Sequence, residues 1–180
     1  MSMDGGHRYW HYVDGIPTLW ECKVSRGLAY SYRDADYTWE VTGIGECQDK
    51  DIAIPHTFNT VPVSRIAYRA FYETDITGIN IPENINTLGV QSFYKCSNLK
   101  NVNISDGLKS IESDAFWGCS NVVSIVIPNT VTTIRSSAFR ETGLIEITIP
   151  KTVITMGDSL FLNCTQLKSV KFLNNFDDLP

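Results

Sequence analysis

The chain has 180 residues, 43% of them apolar, which is enough for a sizeable core in one domain or in one small domain with an appendage. Lys and Arg total 15 against 20 Asp and Glu, a formal charge of -5, so there is no electrostatic footprint for nucleic acid or for an anionic membrane. No apolar run approaches the roughly 18 residues that a membrane helix needs.

Residues 1–27 hold His7, Tyr9, Trp10, His11, Tyr12, Leu19 and Trp20. Met1–His7 has neither a basic nor an apolar region and does not read as a signal peptide. Tyr12-Val13-Asp14-Gly15-Ile16 predicts a turn between short strands. This segment is expected to pack on the element that follows it, with an aromatic recognition arm as the alternative. Residues 28–53 read as a β-hairpin cap. Leu28, Tyr30 and Tyr32 alternate with other residues, Arg33-Asp34-Ala35-Asp36 makes a turn, and Tyr37, Trp39 and Val41 alternate back. Ile52 and Ile54 then lead into the first coil of a repeat.

From residue 54 to 180 the sequence repeats. Phe71, Phe93, Phe116, Phe139 and Phe161 are spaced by 22, 23, 23 and 22 residues. Eleven residues before the last four of these stand Pro82, Ser105, Pro128 and Pro150, each preceded by Ile. Two further apolar columns follow, Ile85, Leu108, Val131 and Val153, then Leu88, Ile111, Ile134 and Met156. After each Phe comes Thr74, Cys96, Cys119, Thr142 or Cys164, and then Ile76, Leu99, Val122, Leu144 or Leu167. The pairs Ile79/Ile81, Val102/Ile104, Ile125/Ile127, Ile147/Ile149 and Val170/Phe172 have period two, the mark of half-buried strands. A short helical turn is expected around each Phe. No 22- or 23-residue coil buries its own apolar face, so the coils must stack and share one core. Between Pro55 and Phe71 the separation is 16 residues instead of 11, which predicts a protruding loop near His56–Pro62. Phe172, Leu173, Phe176 and Leu179 occupy the columns of a partial sixth unit, which makes self-association or stacking at that end an expectation.

The cysteines, Cys22, Cys47, Cys96, Cys119 and Cys164, are odd in number and lack zinc spacing. Those in the repeat column read as buried structural thiols, and the absence of a disulfide framework suits a reducing setting. A Cys96–Cys119 bridge is conceivable from coil spacing alone. His7 and His11 are four apart, but their glycine-preceded aromatic context is not helical, so no metal site is expected. Asp34/Asp36 and Asp49/Asp51 read as solvated turn acids, because no calcium loop follows them. No catalytic motif and no cofactor motif is present. The sequons at Asn103 and Asn163 lie in repeat columns and read as accidental unless the chain is secreted.

What remains is surface. Outward positions of the main strands are small and mostly uncharged, and Thr87, Ser110, Thr133 and Thr155 line a second face. Candidate protein-contact residues are Asn80, Asn103, Val126, Glu146, Thr148 and Lys171. The unit I-P-x-x-V-x-x-I-x-x-x-A-F-x-x-C-x-x-L resembles the BspA-type leucine-rich repeat. Ser105 in place of Pro, Ser92 and Leu160 in place of Ala, and Thr74 and Thr142 in place of Cys depart from that pattern. The resemblance implies a right-handed solenoid, mainly β, with about five full coils and a partial sixth. It also implies a non-enzymatic protein-binding module of the adhesin type, found on cell surfaces or secreted, with unnamed protein ligands. An assembly subunit docking through its N-terminal extension and open C-terminal coil is the alternative.

Overall fold

A computed structural model describes the backbone of residues 8–13, 16–21 and 25–173, with side chains from 25 to 173. The readings of His7, His11, Cys22, Phe176 and Leu179 concern side chains outside that range. Strands β1 (Arg8–Val13) and β2 (Ile16–Glu21) pair antiparallel with Val13 opposite Ile16, on either side of the expected turn. Strands β3 (Ala29–Arg33) and β4 (Thr38–Gly43) form the expected hairpin.

The rest of the described chain is a β-solenoid. One side carries β5 (Asp51–Ala53), and a second carries the short hairpin β6 (Thr57–Phe58) and β7 (Val61–Ile66). The chain then alternates between the two sides, through β8 (Gly78–Ile81), β9 (Thr87–Leu88), β10 (Asn101–Ile104) and β11 (Ser110–Ile111). It continues with β12 (Thr133–Ile134), β13 (Glu146–Ile149), β14 (Thr155–Met156) and β15 (Ser169–Phe172). Strands β7, β9, β11, β12 and β14 form a parallel ladder, and β4 and β3 extend it at the N-terminal end. The main-strand side holds two parallel sheets, β5-β8-β10 and β13-β15. Ser124–Ile127 keeps the alternation of exposed and buried residues but joins neither sheet, so this side of the solenoid is divided there.

The turn around each Phe is not helical, and no helix occurs among the described residues. Two residues before and two after each Phe the backbone has positive φ, at Arg69/Glu73, Gln91/Lys95, Asp114/Gly118, Ser137/Glu141 and Ser159/Asn163. A helix needs consecutive right-handed residues, so this alternation breaks it into overlapping four-residue turns. In the first, Tyr72 N–H donates to Arg69 O and Thr74 N–H to Phe71 O. The intervening amides point along the solenoid: Arg69, Phe71 and Glu73 N–H donate to Val90, Ser92 and Tyr94 O at 3.1, 2.8 and 2.7 Å. The same three bonds recur at each later turn up to Glu141–Leu162, so these amides find partners without a helix.

Phe71, Phe93, Phe116 and Phe139 are fully buried in one stack, with ring centroids 5.3, 5.1 and 5.8 Å apart and planes within 7° of parallel. The cysteine column serves the same stack. Cys96, Cys119 and Cys164 Sγ donate to the carbonyls of Phe71, Phe93 and Phe139, one coil back, at 2.8, 3.0 and 3.0 Å. Thr74 and Thr142 instead bond the Phe carbonyl of their own coil. Burial pushes the Cys96 thiol up to about 11 and the Cys119 thiol well above its ordinary value. All four described cysteines are free thiols, so the bridge between Cys96 and Cys119 does not form.

The His56–Pro62 insertion does not protrude. It folds back as β6 on β7, through a turn with positive φ at Asn59 and Thr60. Phe58 then stacks on Tyr30 at 4.2 Å and meets Trp39 edge-on at 5.0 Å. This aromatic packing holds the inserted segment on the hairpin, where a protrusion was expected from the longer separation between Pro55 and Phe71, and burial raises the Tyr30 hydroxyl to about 12.

Candidate functional site: the strand face

All six candidate contact residues are exposed on the main-strand side. Two pairs are neighbours. Asn103 stands in register with Asn80, and its Nδ2 donates to Asn80 Oδ1 at 2.9 Å. Thr148 stands opposite Lys171. Glu146 is in register with Ser169, not with another candidate. Val126 lies in the unpaired segment between the two sheets and is 75% exposed. Beneath them Ile79, Ile81, Ile125, Ile127, Ile147 and Ile149 are buried, so the face rests on a packed support. At its N-terminal end Lys50 Nζ pairs with Asp75 at 2.6 Å and draws that carboxyl below its ordinary value.

Period-two reading missed the residue that precedes each outward pair. That column runs Lys50, Thr77, Lys100, Val123, Ile145 and Lys168, at the repeat spacing from Thr77 onward. Ile145 N–H donates to Val123 O at 3.1 Å and Lys168 N–H to Ile145 O at 2.8 Å, so these three residues are successive neighbours across the coils. Val123 is 50% and Ile145 42% exposed.

A second feature escaped the sequence reading. The residues after the first four Phe positions form an outer ridge of Tyr72, Tyr94, Trp117 and Arg140. Tyr72 stacks on Tyr94 at 4.9 Å, Tyr94 meets Trp117 at 5.3 Å, and the Arg140 guanidinium lies 4.1 Å from the Trp117 ring centroid. Arg69 covers the other end, 4.6 Å from Tyr72. Trp117 Nε1–H makes no hydrogen bond of ordinary geometry, yet it lies near enough to Glu141 to lower that carboxyl, with help from Asn163 and Arg140. The aromatic one place after each of Phe71, Phe93 and Phe116 was a legible signal. Its rings spend their faces on one another, so the ridge reads as a second stabilising ladder.

No three His, Cys, Asp or Glu side chains converge into a metal site among the described residues. Nor is any helix there long and apolar enough to cross a membrane.

The fold and this face define a leucine-rich-repeat solenoid. The chain belongs to the BspA type leucine rich repeat family, whose model matches six copies over residues 64–180. A leucine-rich repeat protein of Bacteroides ovatus is similar over 83% of this chain, with 31% identity and a TM-score of 0.73. The chain spans only 41% of that protein's length. The leucine-rich repeat protein of T. pallidum shares the fold over 82% of this chain and 70% of its own, at 23% identity and a TM-score of 0.77. Among curated proteins no sequence matches. Leucine-rich repeats typically mediate protein–protein interaction and are generally non-enzymatic.

Proposed function

We propose that this protein is an adhesin-like binding module that engages a protein ligand through the strand face, at Asn80, Asn103, Val126, Glu146, Thr148 and Lys171. The observation that carries the reading is the exposed row of side chains held over a buried isoleucine ladder. Such a surface loses little conformational entropy on binding, because its backbone and support are already ordered. Family membership adds the general habit of protein recognition.

Lysine cross-linking on intact source cells, followed by mass spectrometry, tests both parts. Links from Lys100, Lys168 or Lys171 to another protein are expected. Links confined to Lys109 and Lys151, which lie off this face, would refute the surface assignment. Protection of residues 54–180 from protease until the cells are lysed would refute surface display.

A second reading, assembly through the last coil, draws on the exposure of Met156, Phe172 and Leu173 there. Concentration-dependent mass in sedimentation supports it, and a concentration-independent monomer mass counts against it.

A further inference from the structure

The strand face is not uniform. Its N-terminal part is polar and internally satisfied: Lys50 is paired with Asp75, Thr77 Oγ1 donates to Asp51 Oδ1 at 3.1 Å, and Asn103 is bonded to Asn80. Its C-terminal part is different. Val123, Val126 and Ile145 form an exposed aliphatic centre at the unpaired strand and its neighbour. Around them, within residues 100–104, 123–126, 145–148 and 168–171, the charged side chains are Lys100, Lys168, Lys171 and Glu146, a local balance of three minus one, or +2. All four are exposed, and none makes an ion pair with another described residue. A positive rim on a chain of net charge -5 is a local reversal of sign. An apolar centre inside a polar rim is also the usual anatomy of a protein-binding patch.

We infer that this C-terminal half of the face is the anchor point, and that its partner is an acidic protein segment bearing an apolar side chain between carboxylates. The inference rests on the strand-face reading and names the ligand chemistry of that same surface. Lys100 and Lys168 flank Val123 and Ile145 in one column, three strand spacings apart, or about 14 Å at about 4.8 Å each. An extended segment rises about 3.4 Å per residue. Run along the solenoid axis, it reaches both lysines with carboxylates about four residues apart, the apolar side chain between them seated on the aliphatic centre. The partner's charge also steers the encounter, so affinity depends on ionic strength.

The test uses the full chain and a random library of twelve-residue peptides displayed on phage. Enriched peptides should carry Asp or Glu on both sides of an aliphatic or aromatic residue. Their affinity should fall at least tenfold in Val126→Thr and in the double variant Lys168→Glu/Lys171→Glu, and should weaken between 0.05 and 0.5 M salt. These positions are exposed, so unchanged thermal melts will show that the variants fold. Basic or uncharged peptides that are lost on Asn80→Ala/Asn103→Ala but indifferent to the lysine variants would overturn the acidic-partner inference and leave the strand face standing. Peptides indifferent to every strand-face variant would overturn both. An absence of any enriched peptide would overturn the anchor point.

Discussion

Phe116→Ala is the sharpest perturbation of the solenoid core. Its ring is fully buried and stacked on both sides, 5.1 Å from Phe93 and 5.8 Å from Phe139. Truncating a buried Phe to Ala costs about 3–5 kcal/mol through lost transfer energy and the cavity left behind. Two stacked neighbours, each adding about 0.5–1.5 kcal/mol beyond burial, place this site at the upper end, about 4–5 kcal/mol. The backbone around it is held by bonds to the coils on either side, Phe93 N–H to Ala115 O and Phe116 N–H to Ala138 O, so the cavity has little freedom to collapse. Phe161 provides an internal comparison, because it is only partly buried and stacks on Phe139 at 5.8 Å on one side. Phe161→Ala should therefore cost about half as much, roughly 2 kcal/mol. At about 2–4 °C per kcal/mol for a chain of this size, the two variants should melt about 10–15 °C and about 5 °C below wild type. Urea unfolding and thermal circular dichroism read both quantities. A cost below about 1 kcal/mol for Phe116→Ala, or equal costs at the two sites, would refute the stacked-ladder account.

Three other outcomes follow from the same packing. Cys96 and Cys119 favour the neutral thiol in the folded state, so their contribution is complete below the unfolded value of about 8.5 and fades as pH rises above it, toward about 11 for Cys96. Melting temperature should thus drop more steeply between pH 8.5 and 11 in wild type than in Cys96→Thr/Cys119→Thr, and parallel curves would contradict this. Gly107→Ala should destabilise by about 1–3 kcal/mol, since φ there is +135° and an added Cβ would strike the Glu83 carbonyl. A melt within a degree of wild type would show that the turn relaxes freely. Trp117→Ala removes the edge contact with Tyr94 and the seat of Arg140, a loss of about 1–2 kcal/mol in chemical denaturation. No loss would mean that the outer ridge contributes nothing to the fold.

The repeat by itself makes the solenoid and its inner columns legible, because a stacked array must place one residue type at one depth in every coil. The Phe column, the isoleucine pairs and the Thr87-Ser110-Thr133-Thr155 row all emerge in register for that reason. The same logic identifies the six candidate contact positions, all of which are exposed. Period two, however, counts only residues that alternate, so it passes over Val123, Ile145, Lys100 and Lys168, where the chain enters the strand.

Tertiary structure alone decided three things. Left-handed residues flanking each Phe replace a helix with turns whose amides bond to the next coil, and a pattern such as Arg69-x-Phe71-x-Glu73 carries no warning of that. Phe58 brings the inserted segment back onto Tyr30 and Trp39, a contact between residues distant in sequence. The sheet divides at Ser124–Ile127 although its alternation matches every other coil, because strand pairing depends on the approach of two backbones and not on side-chain pattern. Local sequence determines what each coil buries, and the contacts between coils determine which backbone groups and which side chains are left to face a partner.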